Sequence, residues 1–542
     1  MNFKFLIFNF QKRYILLTLI ILIAGFLRLN ELGINPPALD WDEASLGYNA
    51  YSILKTGKDE FGRFLPISIR SFEDYKPAVY TYLAIPGVAA FGLNEFAVRL
   101  PSAILGTLTV LVVYFLVKEL CRFGNLALLI ALLLAISPWH LQFSRVAFEA
   151  NVGLFFVSSG VLFFLKGLKK GSWLFVSMLS FVISFYSYHS PRLVVPLLLF
   201  GWVIYFRQEL WQLKKWVLIS SIVGLILLIP FFQEALTVGK ARLGSVTSLN
   251  PNERLGESIK LIEDDKKHSD YFGVLMHNRR VVYGSAILQG YLDHFNLDFL
   301  FFHGDAPLRH HAPDMGMLYI WEAPFILVGM IQFVKKKFFL VWWWFLVAPL
   351  ASAITTGTPH AVRSLLYLPI YQIFTAAGLL YVSRITYHLS QNVRRFFFVG
   401  FTIFVIVNIF YYLDMYYVHA PIEAAKEWQY GYKEAVAEMA KKEDAVDKIV
   451  VTYAYDQPHI FILFYEKIDP AWYQKQWSGG EVKRFGRTFG KYEFRNIDWG
   501  QDKALKDTLV IGTPGEIPED VPGKIADIHF PDGQVAFRVV KL

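Results

Sequence analysis

The run Pro37-Ala38-Leu39-Asp40-Trp41-Asp42-Glu43 sets three carboxylates around a tryptophan, shortly after an apolar segment at 14–27. Ionisable groups at a membrane face are expensive to place and tend to be functional. A carboxylate held there is able to take the proton of an attacking hydroxyl. The alternative is structural. Asp42 and Glu43 also suit the first turn of a helix opening ahead of Ala44-Ser45-Leu46-Gly47-Tyr48.

Basic residues recur at the same edge. Lys76 precedes a short apolar stretch, where a lysine also simply snorkels, and Arg99 opens a longer one. Arg99 stands where positive charge is disfavoured by topology, which points to binding or to an ion pair. The turn Ser137-Pro138-Trp139-His140-Leu141-Gln142-Phe143-Ser144-Arg145-Val146-Ala147-Phe148-Glu149 carries Arg145 and Glu149, four apart and able to pair on one helical face. His189 and Arg192 close another apolar segment. Arg309, His310 and His311 lie in Gly304-Asp305-Ala306-Pro307-Leu308-Arg309-His310-His311-Ala312-Pro313, and His360 and Arg363 form a similar basic group. Neighbouring histidines do not share a helix face, so a metal held by His310 and His311 requires a loop geometry.

The elements that must position these groups are membrane helices. Of 542 residues, 55% are hydrophobic and 18% charged, against roughly 25% charged in soluble domains. Spans are expected at 14–27, 97–117, 124–139, 147–165, 172–188, 191–206, 216–233, 316–334, 338–354, 361–382 and 396–414, each near the length a bilayer demands. Lys4, Lys12 and Arg13 precede the first, and no small-residue cleavage site follows, so it reads as an uncleaved span with the N-terminus inside. Lys118 with Arg122, Lys166 with Lys169 and Lys170, Arg207 with Lys214 and Lys215, Lys335 to Lys337, and Arg384 with Arg394 and Arg395 then share the cytoplasmic side. Counting 78–92 as a span would reverse every later loop. Short and broken by Pro86-Gly87, it reads instead as interfacial or re-entrant.

The outer face receives loops 29–77, 139–147 and 235–315 and the tail. The expected division is a membrane domain at 1–418 and a soluble extracytoplasmic α/β domain at 419–542. In the tail, 422–443 reads as helix and 448–454, 459–465, 508–511 and 535–540 as strands. The net charge of +8 follows the membrane topology and forms no single patch, so nucleic acid is not expected as a partner. Cys121 is the single cysteine and offers neither disulfide nor metal pair. No P-loop is present, and nucleotide sugars are absent from the outer face. A transferase working there draws on a donor already carried across the membrane on a lipid. A transporter or flippase of such lipids is the alternative, with charges expected near mid-span and inverted repeats. Here the ionisable residues gather at one surface and no repeat is evident.

Three ordered elements carry a resemblance. Asp42-Glu43 follows the first span; Asp74-Tyr75-Lys76-Pro77-Ala78-Val79-Tyr80 precedes the interfacial stretch; Phe96-Ala97-Val98-Arg99-Leu100-Pro101-Ser102-Ala103 opens the second span. Together they resemble the family-39-like glycosyltransferases of the GT-C superfamily, among them the protein O-mannosyltransferases and the lipid A aminoarabinose transferases. Ala78 stands where that pattern has a second proline. The resemblance covers about 10–230 well, is one of layout from 230 to 420, and leaves the tail aside. An oligosaccharyltransferase would carry Trp-Trp-Asp, whereas Trp342-Trp343-Trp344 is followed by Phe345 and reads as lipid-facing or interhelical packing.

The resemblance implies a membrane glycosyltransferase with a polyprenyl-phosphate-sugar donor, inverting transfer of a hexose or pentose, and a first-loop acid as base. On the matching positions that base is Asp42, with Asp40 its neighbour, Glu43 an orienting partner and Glu149 the assisting acid. Lys76, Arg99, Arg192, Arg309, His310, His311 and Arg363 become candidates for the donor phosphate, with Tyr75, Arg145, His189 and His360 beside them. A divalent cation, magnesium or manganese, is possible on Asp42, Glu43 and Glu149, though nothing in the residues requires one. The acceptor hydroxyl, on lipid, glycan or protein, is left open.

Overall fold

The computed structural model describes residues 10–72, 74–121, 124–237, 251–335, 338–476 and 486–542. Lys4, Arg122, Lys336 and Lys337, part of the charge pattern above, lie outside them, as does 238–250 of the long loop.

Each of the eleven apolar segments contains helix, although in two of them 316–321 and 361–364 lie outside it. The first is α1 (Phe10–Leu29). Further along the chain come α4 (Glu95–Cys121), α5 (Gly124–Ala135), α6 (Pro138–Ser144), α7 (Glu149–Gly167), α8 (Ser172–Phe185) and α9 (Ser190–Tyr205). Helices Lys214–Thr237, Glu322–Lys335, Phe339–Val347, Ile370–Thr386 and Gln391–Asp414 follow. Five of these helical stretches are long and apolar enough to cross a membrane alone, six if α5 and α6, bent by 60°, make one span. Apart from α1, which has 20 residues, the remaining apolar helices are shorter.

Their burial separates centre from rim. In α7, 72% of the most apolar window is buried, against 11% in the helix from Lys214 and 6% in the one from Gln391. Leu218, Leu225, Phe396 and Phe410 on those outer helices face outward, apolar all round as a lipid-facing helix must be. Helices Glu322–Lys335 and Ile370–Thr386 pack backbone to backbone. A Cβ on Gly329 would strike the Phe374 carbonyl and one on Gly378 the Phe325 carbonyl, so both positions need glycine for the close approach. The tryptophan run is interhelical: Trp343 donates to the Leu197 carbonyl at 2.9 Å and Trp344 to the Leu366 carbonyl at 2.7 Å.

The segment between α1 and α4 is more regular than its sequence. It holds α2 (Trp41–Thr56) and an antiparallel hairpin of β1 (Ser68–Ser71) and β2 (Asp74–Pro77). The apolar stretch that follows is α3 (Val79–Phe91), at 13 residues too short to cross.

The tail builds a six-stranded mixed sheet in the order β4-β5-β3-β6-β8-β7, from β3 (Lys448–Val451), β4 (Arg487–Phe489), β5 (Tyr492–Phe494), β6 (Thr508–Gly512), β7 (Lys524–His529) and β8 (Val535–Lys541). The central β3 runs parallel to β5 and β6. One expected strand is corrected: 459–465 lies in a helix, Pro458–Tyr465, with proline in its first turn. A continuous buried apolar run reads the same as strand or helix by periodicity. The expected helix at 422–443 is present only in pieces, Ala420–Glu423 and Tyr432–Ala440.

This unit seats on α2. A Cβ on Gly47 would lie 2.6 Å from the Phe464 ring and 2.5 Å from Val98, so the missing side chain lets the helices meet. Trp41 N–H donates to Gln429 at 2.8 Å and the Tyr48 hydroxyl to the Ile468 carbonyl at 3.0 Å.

Candidate active site

Asp40 is the N-cap of α2, its Oδ1 accepting from the Glu43 N–H at 2.8 Å. Its Oδ2 accepts from Arg309 Nη1 at 2.6 Å, and the guanidinium lies 4.7 Å over the Trp41 ring. Asp40 is fully buried. Capping therefore falls to Asp40, and Asp42 and Glu43 stand in the first helical turn, where acids meet the positive helix end.

Glu43 and Arg99 require correction. Arg99 donates through Nε and Nη2 to the two oxygens of Glu43, at 2.9 and 2.8 Å, and through Nη1 and Nη2 to the carbonyls of Leu32, Pro36 and Ala38. All five guanidinium N–H groups are used, leaving none for a phosphate. Glu43 Oε1 also accepts from the Ala147 N–H at 2.8 Å. Its two oxygens are occupied, so it neither orients Asp42 nor contributes to a metal. With Asp42 paired to an ammonium, the set Asp42, Glu43 and Glu149 does not fit a divalent cation.

Asp42 is the accessible acid, its side chain 35% exposed, and it pairs with Lys76 Nζ. Lys76 sits on β2, mostly buried. Burial pushes its ammonium down, but the carboxylates of Asp42, Glu149 and Asp40 outweigh that and hold it above its ordinary value. Glu149, in the first turn of α7 and nearly buried, thus shares the neighbourhood of Lys76. Tyr75 is the neighbour of Lys76 on a strand, so it points to the opposite sheet face; its ring lies 5.6 Å from the Arg63 guanidinium.

Arg145 does not pair with Glu149. It donates to the Tyr416 hydroxyl, the Leu27 carbonyl and the Asn35 carbonyl at 2.9, 2.7 and 3.0 Å, and is buried between α1 and the last span. His311 is likewise engaged inside its loop, with Nδ1 2.9 Å from the Ala312 carbonyl and Nε2 2.8 Å from that of Asp305. Arg145 is thus taken up in contacts between distant segments, and both ring nitrogens of His311 are engaged.

Behind Arg309 lies a second group. His310 Nδ1 is 2.6 Å from Asp305 Oδ2, and the His310 and His360 rings are 5.1 Å apart. Burial raises Asp305, but His310, the Ala361 N–H and His360 draw it below the carboxylate range. Burial, with Arg363 and His310, pushes His360 down to about 2. Arg363 donates to Thr355 and accepts, at its carbonyl, from Ser190 at 2.7 Å. Two residues along α9, Arg192 contacts His189 Nδ1 at 2.8 Å. Sequence reasoning passed over Asp305 and Glu427, whose charge adds to that of Asp40 and Asp42 on Arg309. Asp305 was visible only as an acid five residues before a histidine.

Residues 75–233 match the family model described as dolichyl-phosphate-mannose-protein mannosyltransferase. ArnT from Cupriavidus metallidurans superposes in its apo state with a TM-score of 0.55 at 11% identity, over 98% of both chains, and bound to undecaprenyl phosphate with 0.54 at 12%, again over 98% of both. The Archaeoglobus fulgidus oligosaccharyltransferase tethered to an acceptor peptide gives 0.51 at 14%, over 98% of this chain and 74% of its own. In the complex of AglB from that organism with an inhibitory peptide and a dolichol-phosphate, this chain spans 64% of the relative's length. No curated protein sequence matches. The chain has the fold of the GT-C membrane glycosyltransferases, with a C-terminal sheet unit.

Proposed function

We propose that the chain transfers a sugar from a polyprenyl-phosphate donor to an acceptor hydroxyl at the outer face of the membrane, with Asp42 as general base. The observation that carries this is the Asp42–Lys76 pair, an accessible acid beside a mostly buried cation, set where the neighbouring acids are engaged in structure. The likeness to a structure holding undecaprenyl phosphate supports the donor class.

In this reading the lipid phosphate enters beside Lys76, which exchanges its carboxylate partner for the phosphate. Asp42, released, accepts the acceptor's proton as that oxygen bonds to the anomeric carbon from the opposite side. The carbon–phosphate-oxygen bond breaks, its electron pair leaving with the lipid phosphate, and configuration inverts. Lys76 meets the charge that develops on the departing group. Glu149 tunes Lys76 from behind. Arg192 and Arg363 extend the basic rim. The reading places the N-terminus in the cytoplasm and the tail outside, as a unit over the site.

The test is release of polyprenyl phosphate from a panel of polyprenyl-phosphate hexoses and pentoses, wild type against Asp42→Asn. Turnover is expected to fall about 10²–10⁴-fold, the range of a lost general base. Unchanged turnover removes Asp42 as base. No release from any donor, together with movement of the intact lipid between leaflets, favours the flippase.

A further inference from the structure

We propose that Asp305, His310 and His360 bind one divalent transition-metal ion, zinc by ligand type, at a site separate from the Asp42–Lys76 pair. Each of the three offers a ligand atom, and these atoms all lie within 4.8 Å of one another. Asp305 and His310 are buried and His360 is nearly so, its side chain 18% exposed. Two polar atoms of the cluster, Asp305 Oδ1 and His360 Nδ1, are buried without a hydrogen-bond partner among the described residues. Such groups are costly unless something satisfies them.

The donor chemistry suits the ion. Two imidazoles and a carboxylate form a borderline set of the kind zinc accepts, with one further position for water or substrate. Metal–ligand bonds of about 2.0–2.2 Å bring ligand atoms within roughly 3.5 Å of each other, so the cluster draws in by about an ångström as it closes. A carboxylate and neutral imidazoles are the forms in which such residues bind a metal, so binding is expected to release protons at low pH. The Asp305–Ala361 N–H bond, 2.8 Å, steadies the carboxylate as an outer partner.

The placement has a consequence. His310 follows Arg309 directly, and His360 belongs to the segment before the Leu365 turn. A metal here ties the end of the long loop to the segment that leads into helix Ile370–Thr386 and so positions Arg309 against Asp40. The inference rests on the donor cluster alone and stands or falls apart from the role of Asp42.

Full-length protein in detergent would be equilibrated with Zn²⁺, dialysed and analysed for bound metal, beside Asp305→Asn, His360→Gln and a His311→Gln control. One zinc per wild-type chain is expected, retained in the control and lost at least tenfold in affinity in the other two. Zinc is expected to raise the melting temperature of wild type and control only. Co²⁺ bound in its place reports ligand geometry by its visible absorption, changed in His360→Gln. Wild type that holds no zinc after dialysis overturns the proposal, as does equal zinc in folded, monodisperse Asp305→Asn and His360→Gln.

Discussion

Arg99 and Glu43 meet through two parallel hydrogen bonds, 2.9 and 2.8 Å, with both side chains excluded from water. The pair joins the first turn of α2 to the first turns of α4 and, through the Ala147 N–H, to the segment before α7. Removing one partner leaves a buried charge, which costs about 3–5 kcal/mol. Arg99→Met is expected to lower the melting temperature sharply, and Arg99→Lys nearly as much, because an ammonium cannot reproduce the fork. The double variant Arg99→Met with Glu43→Gln is expected to recover part of the loss. Thermal unfolding of the purified variants tests this; an Arg99→Lys protein as stable as wild type would refute the account.

Lys76 and Asp42 behave differently because the acid is accessible. A partly exposed pair contributes at most about 1 kcal/mol, so Lys76→Met is expected to leave folding nearly intact. On the proposed mechanism its effect falls on the donor instead. Losing a hydrogen bond to a charged group is worth about 1.5–3 kcal/mol, or roughly 10–150-fold in kcat/KM. The loss should appear first in KM for the polyprenyl-phosphate sugar. Steady-state kinetics decide: a fall in melting temperature with unaltered kinetics would make Lys76 structural.

Asp40 has two duties that substitution separates. Asparagine caps a helix about as well as aspartate, so Asp40→Asn keeps the cap and removes only the carboxylate facing Arg309, at about 1–3 kcal/mol. Asp40→Ala removes both and is expected to cost about 1 kcal/mol more. Denaturant or thermal unfolding of the two variants measures the difference. Equal stabilities would mean that the cap observed at 2.8 Å contributes nothing.

The apolar helices were legible in the sequence because burial in lipid demands long apolar runs: each of the eleven expected segments contains helix, and among the described residues five, or six with the bent pair, are long and apolar enough to cross a membrane alone. So was a short apolar element ahead of the second span, although Pro86 and Gly87 lie inside a continuous helix where the sequence suggested a break. The neighbourhood of Asp42 and Lys76 was legible from three ordered motifs. What could not be read was which charges are taken up in structural contacts. Arg99 and Arg145 look like ligands in one dimension, yet backbone carbonyls from distant segments, Leu32 and Leu27 among them, take their hydrogen bonds. Those carbonyls carry no sequence signal. The helix at 458–465 was missed for a related reason, since its neighbours bury every face and erase the amphipathic period.

Glu60 predicts a pH dependence of stability. It is buried under α2, accepting from Asn49 Nδ2 at 3.1 Å and donating its own N–H to Asn49 Oδ1 at 3.0 Å. Burial pushes its carboxyl up to about 7, although Arg487 of the tail and Asn49 oppose the shift. Between the ordinary value of 4.5 and about 7 the folded chain therefore holds a proton that the unfolded chain has lost. Stability from this group is complete below 4.5, declines as pH rises through that window and is flat above it. The decline amounts to at most roughly 3 kcal/mol. Glu60→Gln, neutral at every pH, is expected to remove this slope and to exceed wild type above pH 7. Melting temperatures of both proteins across pH 5 to 8 provide the test. Parallel curves would show that Glu60 titrates alike in the folded and unfolded chains, and that Arg487 fully compensates its burial.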